Sequence, residues 1–555
     1  MYQPKASGSR KKPSQKQKVV QRRNTGRKQA KTDVTHPASE AEPDPEDVQT
    51  WPHSTTTHVL SDVEPIRTSL LQWYDGVHEN RGMPWRKPYD PELNANERSQ
   101  RAYEVWISEI MLQQTQVATV IPYYNRWMSK FPTIKDLADS DIDTVNSLWK
   151  GLGYYSRAAR LLTGAQKVVR ELGGRLPDNV KDMETKIPGV GRYSAGAICS
   201  IAYNQCVPVL DGNVHRLLSR VLALHAPPKA KQSLDILWSA AEAMVQGTNR
   251  PGDLNQALIE LGSTICKVRD PSCESCPINT RCWAYKLENS VGKASEASRS
   301  IRDNEVRDIE DLCTLCEPLP VPPLATSFPM KVDRKKAREE LDIVNVVEWR
   351  SKSLGDRWFL LVKRPNGGLL AGLHEFPTVA DVPRTISAAA VREIPQKVLH
   401  NVLAHPPPPE SQRQPTSYER SIKRTSIVPG DSHGDLRVVQ VKPAGDVIHI
   451  FSHIRKTYRV QWVVLEGGGD KPPSLAQFTS ASGLDTCGAS TKSNTASKGK
   501  SKKPKGKLPD GGQAMDIPVE ARWVTMDEVQ NANVGTGVLK VWNQVCTLWA
   551  RRTTT

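Results

Sequence analysis

Ile187-Pro188-Gly189-Val190-Gly191 separates two stretches of helical periodicity. Glycines let the backbone come close to another group. The N–H groups and dipole at the start of the following helix favour an anion there. A bare turn of this kind is more often an ordinary helix connection, so its surroundings decide its meaning. Twenty residues after Gly191 comes Asp211, in Val209-Leu210-Asp211-Gly212-Asn213-Val214. Asp or Asn before an amphipathic helix is usually just an N-cap. Behind it Val214, Leu217, Leu218, Val221 and Leu222 recur at helical spacing.

Further on stand Cys266, Cys273, Cys276 and Cys282, spaced C-x6-C-x2-C-x5-C over seventeen residues. Four thiolates in one short loop match a tetrahedral or cubane metal site. Zinc is the competitor, but it more often uses two tight C-x2-C knuckles. Here Cys273 and Cys276 make the single knuckle, and the longer arms suit a bulkier iron–sulfur cubane. Lys267, Arg269 and Arg281 would aim positive charge at phosphate. Cys199, Cys206, Cys487 and Cys546 are isolated and read as packing or surface thiols.

The rest of the chain gives these features a frame. It has 555 residues, a formal net charge of +16 and a pI of about 9.3. That balance favours a polyanionic partner, nucleic acid before an anionic membrane surface. No apolar run is long enough for a transmembrane helix, and the polar N-terminus is no secretory signal. Apolar content is 38%, below the ~45–50% of ordinary globular domains, so parts of the chain are expected to be disordered. Residues 1–60 read as a basic tail. Lysine dominates there over arginine, which favours nuclear import over a mitochondrial presequence, with the partition between the two compartments left open.

Residues 61–290 read as an all-α domain. Tyr103 to Gln114, Ala158 to Leu172 and Leu234 to Val245 share the helical pattern. Residues 291–340 form a connector, and 341–549 change character. Ile343 to Val347, Trp358 to Val362 and Tyr458 to Leu465 are short β-prone runs punctuated by Gly and Pro. An α+β domain is expected, interrupted by disordered inserts at 405–435 and 467–515.

The hairpin, the aspartate and the four-cysteine loop, in this order, resemble the endonuclease III superfamily of helix–hairpin–helix DNA glycosylases. Within it, Trp106-Ile107-Ser108-Glu109-Ile110-Met111-Leu112-Gln113-Gln114-Thr115-Gln116 resembles the MutY-type adenine DNA glycosylases nearly letter for letter. So do Met83-Pro84-Trp85-Arg86 and Gly151-Leu152-Gly153-Tyr154-Tyr155-Ser156-Arg157. The resemblance implies a [4Fe-4S] cluster on the four cysteines. It makes Glu109 the acid that protonates adenine, and a carboxyl sharing a face with Val105 and Leu112 has its pKa raised. It gives Asp211 the oxocarbenium-like sugar and has Asn213 orient the reacting centre. Trp85, Leu112 and Gln256 become the adenine pocket. Gln114 and Tyr154 become a wedge in the duplex, and Arg86, Gly189, Val190 and Gly191 become phosphate contacts. Tyr193 stands where bifunctional relatives carry a lysine nucleophile, so a monofunctional enzyme is expected.

Arg364 to Pro377 resembles the opening of a Nudix (MutT-like) fold, but residues 378–400 lack the glutamate array that holds Mg²⁺. Phe451-Ser452-His453 matches the loop with which the family recognises 8-oxoguanine. Eukaryotic members place zinc in the connector, on three cysteines and an upstream histidine. His58, Cys313 and Cys316 match three of these, and the place near Val306 has no thiol. Zinc one ligand short and a connector with two free thiols stay equally open. The expected partner is double-stranded DNA with a mispaired adenine. The family adds a sliding clamp and mismatch-repair or abasic-site-processing proteins. No membrane partner and a monomer are expected. A lesion glycosylase/lyase of the endonuclease III kind, a non-catalytic damage sensor and a nucleotide pyrophosphatase are the alternatives. Tyr193, the retained Glu109 and Asp211, and the missing glutamates respectively oppose them.

Overall fold

The computed structural model describes residues 48–49, 53–291, 312–332, 336–351, 356–365, 370–408, 436–451, 453–476 and 520–550. The first of two folded parts is helical. Its Ala95–Leu112 helix starts at a capping box, in which Asn94 accepts from the Glu97 backbone and Glu97 accepts from the Asn94 backbone. Trp106 on that helix, Trp127 and Trp149 are fully buried in a single core. The Arg192–Tyr203 helix packs along the Ala95–Leu112 helix, and the Gly212–Val221 helix packs against Pro251–Thr264.

Two glycines set how tightly the segment around Asp211 is held. A Cβ on Gly196 would come within 2.4 Å of the Pro208 carbonyl oxygen. A Cβ on Gly262 would come within 2.8 Å of the Asn213 carbonyl oxygen. Both distances are below any real Cβ contact, so backbone meets backbone on either side of residues 208–213.

The helical part begins earlier than its sequence pattern suggests. His53 and His58 are buried, and Ser54 caps a single helical turn over Thr55–His58. Residues 53–60 therefore belong to the fold rather than to the tail. The described connector also packs. Leu319, Ala325 and Phe328 are buried with Ala223 and Ala284, against Cys273 and Cys282.

The second part is built on a sheet. Arg338–Arg350 runs parallel to Ile454–Glu466, in register from Arg338↔Ile454 to Arg350↔Glu466. Arg357–Lys363 and Arg437–Ile450 flank them in antiparallel pairings, and Ala521–Thr525 pairs with Arg357–Lys363. The first strand is buried on both faces from Glu340 to Trp349. Alternation explains which helix each face meets. Val344, Val346, Phe359 and Leu361 pack with Trp542 and Val545 of the Thr536–Ala550 helix. Val347, Trp349, Leu360 and Val362 pack with Leu399 and Val402 of Ala388–Val402.

The first residues of the second expected insert are part of the fold. Residues 409–435 and 477–519 lie outside the described residues, but 467–476 is tied to the sheet domain. Trp349 Nε1 donates to Gly467 O (2.9 Å), Trp523 Nε1 to Pro473 O (2.9 Å) and Ala476 N to Val402 O (2.9 Å). The two parts meet at Leu373, which joins the helical core, and at Lys150. The Lys150 ammonium donates to Gln530 O and to Ala532 O (3.1 Å), and Asn533 Nδ2 donates to Asp143 (3.2 Å).

Candidate active site

Glu109 lies in the last turn of the Ala95–Leu112 helix and is 9% exposed. Tyr193, at the start of the Arg192–Tyr203 helix, donates its hydroxyl to Glu109 Oε2 at 2.9 Å. Burial raises the Glu109 carboxyl to about 7. The Tyr193 bond opposes that shift, and the charge of Asp211 adds to it. A carboxyl there is protonated in a useful fraction at neutral pH. The same burial, with the charges of Glu109 and Asp211, pushes the Tyr193 phenol well above its ordinary value, so it stays a donor.

Asp211 caps the Gly212–Val221 helix. Its Oδ1 accepts from the Asn213 N–H (2.9 Å) and the Val214 N–H (2.7 Å). Its Oδ2 accepts from Asn213 Nδ2 at 2.9 Å. Burial raises this carboxyl too, while the helix-end N–H groups and the Asn213 amide favour its charged form. Asn213 is held in turn, because Arg216 Nη2 donates to its Oδ1 at 3.0 Å. Asn213 thus aims Asp211.

Trp85 is buried edge-on against Tyr124, with ring centroids 5.1 Å apart. Leu112 and Gln256 are half-buried, and Gln256 Nε2 donates to Gly252 O at 3.2 Å. Gln114 and Tyr154 both stand exposed, with left-handed backbones at φ 55° and 49°. Such a backbone costs a side-chain-bearing residue roughly 1–2 kcal/mol, so something must hold it. Arg157 does. Its guanidinium donates to Ile110 O (2.8 Å), Met111 O (3.0 Å), Gln113 O (2.7 Å), Leu152 O (3.2 Å) and Gly153 O (3.0 Å). One buried cation ties the end of the glutamate helix to the turn that carries Tyr154.

In the hairpin, Gly189 has φ +82°, and a Cβ there would press within 2.7 Å of Arg160. Gly191 is the exposed N-cap of the next helix and supplies no side-chain cap, which leaves a helix N-terminus suited to an anion. Val190 turns its side chain inward, and its N–H closes the turn onto Ile187 O at 3.2 Å. Arg86, expected as a phosphate contact, points inward in the structure. Its Nη2 donates to Glu260 at 2.6 Å and its Nη1 to His78 O at 3.1 Å, with 9% of the side chain exposed. Glu260 is buried and needs both Arg86 and Arg81 as partners.

Cys266, Cys273, Cys276 and Cys282 line one cavity with Arg220, Ile278 and Ala325. Arg220 Nη1 donates to Cys266 Sγ at 3.2 Å, which suits a thiolate. A second group was half-read in the sequence. His58, Cys313 and Cys316 are joined by His53, whose position offers no sequence signal, and the four ligand atoms lie within 4.8 Å of one another. Phe451 and His453 sit at the tip of the hairpin made by Arg437–Ile450 and Ile454–Glu466, where Phe451 N donates to Ile454 O at 2.8 Å. Ser452 lies outside the described residues.

The HhH-GPD superfamily base excision DNA repair protein model matches residues 107–243. The adenine DNA glycosylase of Rattus norvegicus is 42% identical over 412 residues, covering 74% of this chain and 72% of its own. That of Homo sapiens is 41% identical over 432 residues, covering 76% and 72%. This chain belongs to the adenine DNA glycosylase family. Among solved structures, the C-terminal domain of mouse MUTYH in complex with human PCNA covers 38% of this chain and 91% of that chain. Its identity is 23% and its TM-score 0.21. An adenine DNA glycosylase read from sequence alone yields the carboxylates. It does not yield Arg157 as a clamp, Glu260 as the partner of Arg86, or His53. Their partners are fixed by tertiary contact, and no local spacing announces them.

Proposed function

We propose that this chain is a monofunctional adenine DNA N-glycosylase of base excision repair, acting on adenine mispaired with 8-oxoguanine or guanine. The observation that carries the reading is the buried Glu109 carboxyl, raised to about 7 and held by Tyr193, within reach of the Asp211 charge. Adenine must leave the helical stack to reach it. Glu109 then gives its proton to the base, which departs as a neutral leaving group. The sugar left behind is oxocarbenium-like. The Asp211 carboxylate, fixed by two backbone N–H groups and Asn213, stabilises that positive charge. Glu109, now a carboxylate, takes a proton from the water that completes the hydrolysis. Tyr193 offers no amine, so no Schiff base forms with the sugar and the strand stays intact.

In this reading Cys266, Cys273, Cys276 and Cys282 hold a [4Fe-4S] cluster. The cluster would supply iron–thiolate bonds that fold the loop. Exposed Lys267 and Arg269 on that loop are then presented to DNA phosphate. The Phe451–His453 tip reads 8-oxoguanine through hydrogen bonds from Ser452 and His453. A sliding clamp and repair partners, a monomeric state and a nuclear location with a mitochondrial pool complete the proposal.

Duplexes carrying 8-oxoguanine opposite adenine test it, scored with and without alkali beside a nucleotide-hydrolysis control. The expected result is base release, strand breaks after alkali alone, and no nucleotide hydrolysis. Strand cleavage keeping pace with base release would sink the monofunctional reading. Normal excision by Glu109→Gln would remove the active-site assignment.

A further inference from the structure

We infer that His53 is the fourth ligand of a zinc ion held by His53, His58, Cys313 and Cys316. In the pattern that the family resemblance implies, a third connector cysteine would stand near Val306. In this chain an imidazole from the other end of the fold takes that role.

The geometry is that of a single-ion site. His53 Nε2 and His58 Nε2 face each other at 2.9 Å. Cys313 Sγ and Cys316 Sγ lie 3.4 and 3.3 Å from His58 Nε2. Around tetrahedral zinc, bonds of roughly 2.0 Å to nitrogen and 2.3 Å to sulfur place donor atoms about 3.3–3.8 Å apart. The two sulfur distances from His58 match that separation, the two Nε2 atoms stand somewhat closer, and all four atoms lie within 4.8 Å. Both histidines are buried, at 5% and 4% exposure.

The shell around the group sets the same direction. His58 Nδ1 lies 2.9 Å from the Leu222 carbonyl, which can only accept. Nδ1 therefore carries the proton, and the Nε2 lone pair points at the other three groups. A lone pair with a second Nε2 and two sulfurs around it is a ligand arrangement, and a carbonyl on the far nitrogen is the usual support of a metal-bound imidazole. The backbone holds the two ligand pairs together without any metal. Cys313 N donates to His53 O at 2.9 Å, and Ser54 pairs with Leu312. Two nitrogens and two thiolates suit zinc, and two thiolates cancel its charge, which fits a buried site.

The position gives the ion a task. Leu222 ends the helix whose N-cap is Asp211. From Cys316 the connector continues to Glu317, whose N–H donates to His225 O at 2.8 Å. It then reaches Phe328, whose carbonyl accepts from Arg220 Nε at 3.1 Å, and Arg220 also donates to Cys266. Zinc at His53 and His58 would fasten the connector to the rear of the aspartate helix, beside the four-cysteine loop.

The test is metal analysis of the purified full chain with zinc and iron measured together, so iron reports an intact fold. About one zinc per chain is expected beside the iron. His53→Ala should lose most of that zinc while keeping its iron. His53→Cys should keep both, because it restores a thiol to the set. Cobalt supplied in place of zinc should give a tetrahedral spectrum with thiolate charge-transfer bands in the wild type and lose it in His53→Ala. Wild-type protein with iron but less than about a tenth of an equivalent of zinc would overturn the inference, and so would His53→Ala with undiminished zinc. Adenine release is scored separately, so failure here leaves the glycosylase reading standing.

Discussion

One buried glutamate in the helical part and one in the sheet part are held in opposite ways. In the helical part Glu109 is buried with one neutral donor, Tyr193, and its proton becomes easy to keep. In the sheet part Glu348 is buried just as deeply, but Arg350, Arg357 and Trp462 donate to it at 2.7, 2.6 and 2.7 Å. Those partners hold its carboxyl below the usual range, against the burial that would raise it. Satisfied, Glu348 is structure. Under-satisfied, Glu109 is poised for chemistry. Burial alone does not distinguish the two, and the count of cationic partners does.

The contrast can be broken most severely at Glu109. Glu109→Gln should lower single-turnover excision by about 10³-fold while duplex binding persists. A loss in binding of the same size would mean that the residue supports the fold rather than the reaction. Arg157→Met comes next. It removes five donated bonds from a buried cation and should cost about 3 kcal/mol or more, read as a lower denaturant midpoint. An unchanged midpoint would show that the two exposed left-handed residues hold themselves.

Tyr193→Phe gives a finer test. Glu109 must be protonated to act, so the rate should fall as pH rises through about 7. The tyrosine bond stabilises the charged form, so removing it raises the Glu109 pKa. The alkaline limb of the pH–rate profile should then move to higher pH. Movement the other way would contradict the assigned cause. In the sheet part, Ser452→Ala combined with His453→Ala should leave the chemical step intact. It should cut the preference for 8-oxoguanine over guanine opposite adenine by roughly 10-fold, the value of one to two hydrogen bonds. Lys150→Ala, where the two parts touch, should have the smallest effect. A few-fold loss of the same preference is expected, because its acceptors Gln530 and Ala532 are backbone carbonyls that water can also satisfy. A rate collapse in either of these last two variants would erase the contrast.

Much of the helical part is legible because its signals are local. The cysteine spacing, the proline–glycine turn and the glutamate helix each fit within a short window of chain. Asp211 reads as an N-cap in sequence and is one in the structure; the cap geometry is also what steadies its charge. What escapes reading is contact across distance. His53 meets Cys313 and Cys316 from the far end of the helical part, and Arg86 turns inward because a buried glutamate on a remote helix draws it. The sheet part is harder for a related reason. Its β-prone runs locate the strands, but the parallel pairing of Arg338–Arg350 with Ile454–Glu466 joins segments separated by a helix and the first insert. Composition also drew the second insert too wide, because Gly467 to Ala476 is polar in sequence and yet anchored by tryptophan donors.

Gly196 and Gly262, which press backbone against backbone beside Asp211, have a genetic consequence. Glycine is encoded by triplets that begin with two guanines. A guanine-to-thymine change at the second gives valine; at the first it gives cysteine, tryptophan or a stop. Each substituted side chain would have to occupy space where even a methyl carbon lies under 3 Å from a carbonyl oxygen. That transversion is the one left behind when adenine stays opposite an oxidised guanine. The gene for this fold is thus exposed, at codons that hold its candidate active site in place, to the class of mutation that the proposed activity would prevent.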